Sequence, residues 1–262
     1  MKIPPKATLY LSRLETTLGA AFPRFMLGFR HLIGYGVEPE LKLLPILCDP
    51  DLVSIDIGAN AGMYTYHMLK CSRMVHVFEP NQRYTKRLLR CFPKGVTVNA
   101  VALSDTNGES ELRIPIGING AGTLQDSNNF GGEYHPSDIE VIRVPMKRLD
   151  DYAYTGVGFI KIDVEGYEQT VLSGAVKTIS ENMPAMLIEI EERHRAGAIS
   201  QVTGFLAKYG YQGFFLKNRN LVPIEQFSPE KEQSIQNLPC GYINNFVFLP
   251  PGQIGKSRAI VS

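Results

Sequence analysis

The chain has no strong charge of either sign. Its 27 Lys and Arg stand against 26 Asp and Glu, a net of +1 over 262 residues. That balance leaves no electrostatic footprint for a nucleic-acid backbone, so no nucleic-acid partner is expected. No C-x-x-C pair occurs. The four cysteines, Cys48, Cys71, Cys91 and Cys240, are scattered and read as reduced, mostly buried thiols of a cytoplasmic protein. No apolar run approaches the roughly 20 residues of a membrane span, so no integral membrane segment is expected. The N-terminus, Met1-Lys2-Ile3-Pro4-Pro5, lacks the apolar centre of a signal peptide. There is no internal repeat, no low-complexity tract and no G-x-G-x-x-G. The last absence counts against a nicotinamide dinucleotide as ligand.

What is present is a strand, a glycine turn and a helix in immediate succession. Leu52–Ile57 is short, apolar and β-branched, as a buried parallel strand is. Gly58 and Gly62 then turn the chain, and Met63–Leu69 follows with a helical pattern. This geometry brings backbone close to a ligand at a helix N-terminus. The turn spells D-x-G-x-N-x-G. Asp56 stands where a dinucleotide fingerprint has its first glycine, and its carboxylate would repel a pyrophosphate. A cationic or hydroxyl-rich ligand suits it better, and the sulfonium of S-adenosylmethionine meets that description.

Residues 1–50 read as helical segments broken by Pro23, Pro39 and Pro45, packed over a sheet edge or closing as a lid. Arg24, Arg30 and Lys6 lie among Phe22, Phe25, Met26 and Phe29. A core-facing stripe explains this better than a helix on a membrane surface. A second strand, Met74–Phe78, runs into Glu79-Pro80-Asn81 and a helix over Arg83–Cys91. Glu79 follows the glycine turn by about 20 residues, where a carboxylate takes both hydroxyls of a ribose. Val96–Asn99 reads as a third strand, with the segment beyond it beside an adenine. Glu111–Pro115 and Ile139–Val144 look like a hairpin around a Gly-, Asn- and Ser-rich stretch, Gly117–Leu124 and Asp126–Gly132, expected as a substrate-side loop. Further buried strands, Gly158–Ile162 and Met186–Ile190, lead to Asp163 and Glu189-Glu191-Glu192. A helix over Gln201–Tyr209, a strand at Gly213–Leu216 and a last strand at Asn245–Leu249 complete the pattern, with a frayed tail after Pro250-Pro251. Ligands of open parallel sheets bind beyond the carboxyl ends of the strands. Asp56, Glu79, Asp163 and Glu189 all stand there.

Four blocks together resemble the FkbM family of S-adenosylmethionine-dependent methyltransferases. They are Asp56-Ile57-Gly58-Ala59-Asn60-Ala61-Gly62, Phe78-Glu79-Pro80, Arg148-Leu149-Asp150-Asp151 running into Phe159–Glu168, and Asn245–Phe248. The resemblance covers about residues 40–250. It implies an α/β fold of the class I methyltransferase, Rossmann-like type. That fold has a seven-stranded sheet of order 3-2-1-4-5-7-6 with strand 7 antiparallel, joined here by an N-terminal helical segment and the inserted hairpin. The expected division is 1–47 as helical extension or lid, 48–250 as the methyltransferase domain and 251–262 as tail. The resemblance also implies O-methylation of a hydroxyl on a sugar, glycolipid or polyketide-type molecule. By it, Asp56, Gly58, Asn60 and Gly62 surround the methionine part of the cofactor, Glu79 takes the ribose, Ala102 flanks the adenine and Asp163 sits near the transferred methyl. An alcohol is a poor nucleophile, so a base near its proton helps. Asp163 is the first candidate, followed by Glu165, Glu189 and His194. No metal is needed beside a sulfonium, although Asp163, Glu165, Glu189 and His194 could ligate Mg²⁺. A homodimer is left open.

Two other readings compete. One is a nicotinamide-dependent oxidoreductase. The other is a non-catalytic scaffold that keeps the fold, against which the intact Glu79 and Asp163 argue. Nucleic-acid amino methylation is disfavoured because Asp163-Val164-Glu165-Gly166 stands in place of a D/N-P-P-Y/F motif.

Overall fold

A computed structural model describes residues 22–33, 37–116, 122–125, 138–237 and 241–258. The expected substrate-side loop lies outside them except for residues 122–125, as do Cys240, residues 1–21 and the end of the tail. Among the described residues the chain begins with helix α1 (Pro23–Ile33), a 3₁₀ turn at Pro39–Leu43 and a short helix α2 (Leu44–Leu47). There follow β1 (Val53–Ile57), α3 (Met63–Met68), β2 (Met74–Phe78), α4 (Gln82–Cys91) and β3 (Val96–Asn99). Next come β4 (Ala102–Leu103), β5 (Gly108–Pro115), β6 (Ile139–Lys147), β7 (Val157–Ile162), α5 (Glu168–Ser173), α6 (Val176–Asn182) and β8 (Ala185–Glu189). The rest is α7 (Ala198–Ala207), β9 (Gln212–Lys217), β10 (Asn220–Pro223), α8 (Pro229–Glu232) and β11 (Asn245–Leu249).

The main sheet runs β3-β2-β1-β7-β8-β11-β9-β10. Its first seven places are the expected 3-2-1-4-5-7-6 order. β11 lies antiparallel between β8 and β9. The eighth strand, β10, is an addition to the seven expected, and pairs antiparallel on the outer edge of β9. All residues of β1, β7 and β11 are buried, because helices cover both faces of the sheet. The two-residue period of the strands sorts them between two cores. Ile55, Ile57, Ile160 and Ile162 pack with Val171 of α5, Ile179 of α6 and Val202 of α7. Val75, Val77, Phe159 and Leu187 pack with Leu27 of α1, Leu44 of α2, Met68 of α3 and Leu88 of α4. α4 starts where the Asn81 side chain accepts the Arg83 N–H at 3.0 Å, an N-cap that meets one orphan donor.

The inserted hairpin is more than a hairpin. β5 and β6 pair antiparallel, and β4 joins β6 in parallel to make a separate three-stranded sheet, order β4-β6-β5. Its own small core is Ala102, Leu112, Ile114 and Val144. The helix expected from Gln201 begins earlier, at Ala198. Glu192 explains the start, since its carboxylate accepts the N–H groups of Gly197 at 2.6 Å and Ile199 at 3.0 Å. The tail expected to fray instead winds through Pro251–Arg258 as 3₁₀ turns against β9–β11.

Candidate active site

The glycine turn after β1 is set by a close backbone approach. Gly58 has φ +77°, and a Cβ there would lie 1.8 Å from the carbonyl oxygen of Asp163 at the end of β7. Gly62 has φ +88°, and a Cβ would press on Leu88 and Phe92 at 2.8 and 2.9 Å. The first glycine lets two strand ends meet at the site. The second seats the turn on α4 and lies behind the cavity, not in its wall.

Glu79 is 5% exposed and is held by backbone. Its Oε2 accepts the Asn60 N–H and its Oε1 accepts the Asn81 N–H, both at 2.8 Å. One lone pair on each oxygen is left for a ligand's hydroxyls. Burial pushes this carboxyl up to about 7, against the pull of those two N–H bonds. Glu79 opens on a cleft of about 640 Å³, counting the part open to solvent. Gly58, Asn60 and Asp163 form its floor, and Phe78, Ala102 and Leu103 one wall. Leu112, Ile114 and Leu124, contributed by the second sheet and its loop, close the other. Tyr84 and Tyr167 also face it. The sequence expectations included Ala102 but not the second-sheet wall. Its signal was the alternation of Leu112 and Ile114 along β5.

A second, more polar cavity lies on the far side of the turn and shares Gly58, Asn60 and Asp163 with the first. Asp56, Tyr64, Lys161, Glu38 and Arg30 line it. Asp56 is 1% exposed and accepts a hydrogen bond from Thr65 Oγ1 of α3. Burial pushes it up to about 6. Glu38 accepts from the Tyr64 hydroxyl at 2.6 Å and from Asn245 Nδ2 at 3.0 Å.

Lys161 is the cation at the centre. It sits on β7, 1% exposed, with Nζ 4.0 Å from both Asp163 Oδ2 and Glu189 Oε2. It also lies 4.9 Å over the Tyr64 ring. Burial alone would lower its pKa, but Asp163 and Glu189, with Glu38 and Asp56, together outweigh burial and hold it above its ordinary value. Burial raises Asp163 against the opposing pull of Lys161. Burial, and then the charge of Asp163, put Glu189 well above the usual carboxylate range. Asn244 Nδ2 donates to Glu189 at 2.6 Å.

Glu165 and His194 form a neighbouring pair. Glu165 Oε2 lies 3.3 Å from His194 Nδ1. Burial, then Asp163, push Glu165 up to about 8, and burial lowers His194. Glu165, with φ +53°, is fixed from behind, its carbonyl accepting the Thr123 hydroxyl at 2.7 Å. Glu165, Glu191 and His194 bring one ligand atom each within 4.8 Å of one another. Glu191 is already held by the Arg193 guanidinium and by the Tyr242 hydroxyl, which together meet its charge.

Parallel sheet order, glycine turn, strand-end carboxylate and cleft together define a domain of the class I methyltransferase type. The model of the methyltransferase FkbM domain matches residues 56–212, more than half of the chain, which therefore belongs to that family of S-adenosylmethionine-dependent methyltransferases. Among characterised relatives, the 31-O-demethyl-FK506 methyltransferase FkbM of Streptomyces tacrolimicus is 25% identical over 193 residues, 62% of this chain and 73% of that protein. A solved methyltransferase FkbM from Methylobacillus flagellatus KT is 18% identical and aligns with 76% of this chain at a TM-score of 0.49. The match spans 44% of that longer chain. TYW2 from M. jannaschii, solved in complex with AdoMet, is 12% identical, covers 80% of this chain and 74% of its own, and has a TM-score of 0.37.

Proposed function

We propose that this chain transfers a methyl group from S-adenosylmethionine to a hydroxyl of a small molecule, a sugar, glycolipid or polyketide-type alcohol. Residues 48–250 would carry the transfer in the cytoplasm, with residues 1–47 as extension or lid. The observation that carries the proposal is Glu79, fixed by two backbone N–H groups with lone pairs to spare, at the edge of an apolar cleft. Adenosine needs that combination: a carboxylate for the ribose diol and an apolar slot for the base. Leu103, Leu112, Ile114 and Leu124 supply the slot.

The methionine end would cross the turn at Gly58 and Asn60 into the polar cavity, which puts the sulfonium beside Asp163. Bound S-adenosylmethionine supplies the electrophilic methyl; the residues around it orient the acceptor and handle its proton. Methyl transfer to an alcohol is an in-line displacement, so orientation gives much of the rate. The hydroxyl proton has to leave as the carbon–oxygen bond forms. Asp163 is the carboxylate nearest that point and is partly open to solvent, 31% by side chain. Glu189 and Lys161 tune it. The Glu165–His194 pair is the alternative acceptor of the proton, because burial keeps His194 neutral at neutral pH.

Titration calorimetry with S-adenosylmethionine and its demethylated product tests this. We expect micromolar binding that Glu79→Ala weakens by about 1–3 kcal/mol. A folded protein that binds neither ligand would sink the proposal and return attention to nicotinamide cofactors or a scaffold role.

A further inference from the structure

The helices that cover one face of the sheet carry charge of one sign. α1 and α4 together hold Arg24, Arg30, Arg83, Lys86, Arg87 and Arg90, with no Asp or Glu. Arg83 is ion-paired with Glu140 of β6 at 3.0 Å, and the five positive charges that remain in the two helices still contrast with +1 for the whole chain. α1 packs against both α4 and α3. At one end of α1 the charges of Arg24, Arg87 and Arg90 converge on Cys91. At the other, the His31 ring lies 4.5 Å from that of His67, beside Lys70.

The same face is apolar where a surface helix is ordinarily polar. Met26 and Leu27 are buried and fasten α1 to the sheet. Phe22, Phe25 and Leu32 point the other way, 63%, 67% and 80% exposed among the described residues. With Phe29 they fall three, four and three residues apart, a single line down the helix. The Phe25 and Phe29 rings stack at 6.5 Å, and Phe25, Phe29 and Leu32 form a groove with Tyr66 and Leu69. Arg24 and Lys70 stand in its rim. On α4, Leu89 is 55% exposed, next to Arg90.

We propose that this face docks the protein on an anionic lipid bilayer, with the exposed Arg24, Lys70, Lys86 and Arg90 at the headgroups and Phe22, Phe25 and Leu32 in the interface. Basic residues near an anionic leaflet and aromatic or aliphatic residues at acyl-chain depth are the two components of interfacial binding. A second copy of the chain fits less well, since a two-fold contact through this face would set its positive charges against themselves. Nucleic acid would match the charge but gives no reason for an exposed Leu32 and a line of phenylalanines. Arg30 also lines the polar cavity beside Asp56 and Lys161, so docking would hold the mouth of the site near the bilayer. The inference does not depend on which acceptor is methylated.

The test is flotation of the full chain with vesicles of phosphatidylcholine, alone and with about one third phosphatidylglycerol. Binding is expected only to the anionic vesicles, and it should fall as salt is raised. Phe25→Asp with Leu32→Asp should weaken it at least about fivefold, and so should Lys86→Glu with Arg90→Glu. Thermal melts identify which double variant is folded, and either one alone decides. No binding to anionic vesicles overturns the proposal. So does equal binding to both vesicle types, or binding that the folded variants leave unchanged. Binding of a single-stranded oligonucleotide in place of vesicles, or a dimer that Phe25→Asp with Leu32→Asp dissociates while vesicles are ignored, would overturn it as well.

Discussion

The two ends of the cleft are built by opposite means. At the Glu79 end, backbone does the positioning: two N–H groups clamp the carboxylate, and Gly58 makes room for a neighbouring carbonyl. At the Asp163 end, side chains position one another. Lys161 stands between Asp163 and Glu189, Asn244 holds Glu189, and Glu165 meets His194. The first end depends on shape. The second is a balance of buried charges and depends on pH.

The sharpest way to break the shape-built end is Gly58→Ala. The methyl would sit 1.8 Å from a backbone oxygen at a φ that favours glycine. A loss of more than about 3 kcal/mol in denaturant unfolding is expected, with no ligand binding at any pH. Lys161→Met is the matching test of the charge-built end. It leaves Asp163 and Glu189 facing each other with no cation, a change of about 3 kcal/mol when both are ionised. The loss should be larger at pH 8 than at pH 5, because burial raises both carboxyls and the variant has no lysine to oppose it. Equal losses at both pH values would show that Lys161 acts by packing alone.

The next effect joins the two ends. Glu79, raised to about 7 by burial, must be ionised to accept from both ribose hydroxyls without giving up an N–H partner. Affinity for S-adenosylmethionine should therefore improve up to about tenfold from pH 6 to pH 8, and Glu79→Gln should flatten that profile. The smallest effect is one of stability. Glu40 is buried and raised from 4.5 to about 7, as are Glu79 and Glu168. A carboxyl whose folded pKa is raised stabilises the fold fully below its unfolded value, and the benefit is lost as pH rises through the folded one. The ligand-free protein should melt at lower temperature at pH 8 than at pH 5. Glu40→Gln should recover about 1 kcal/mol at pH 8 and little at pH 5.

Much of the shape-built end is legible in the sequence. A β-branched run, two glycines and an acid about 20 residues on have few structural solutions, and the four strand-end carboxylates follow from strand polarity. The charge-built end is less so. Lys161, alternating along its strand, could by sequence either neutralise the acids or point elsewhere, and only the folded arrangement of Asp163, Glu189 and Glu38 decides that it is buried among them. Of the second sheet the hairpin of β5 and β6 was legible, and its third strand was hidden because β4 is two residues long. α1 misleads in another way: its apolar residues form two lines, one buried and one exposed, and a count of apolar positions cannot separate them.

The place of β11 has a consequence for synthesis. This strand is the last of the described strands to leave the ribosome, yet it fills the gap between β8 and β9. Asn244, just before it, holds Glu189, and Asn245, its first residue, holds Glu38. A nascent chain can assemble the glycine turn and Glu79 early. The carboxylate cluster lacks these two amide donors until that strand inserts, so on the proposed reading the pocket for the cofactor would form before the groups that handle the proton.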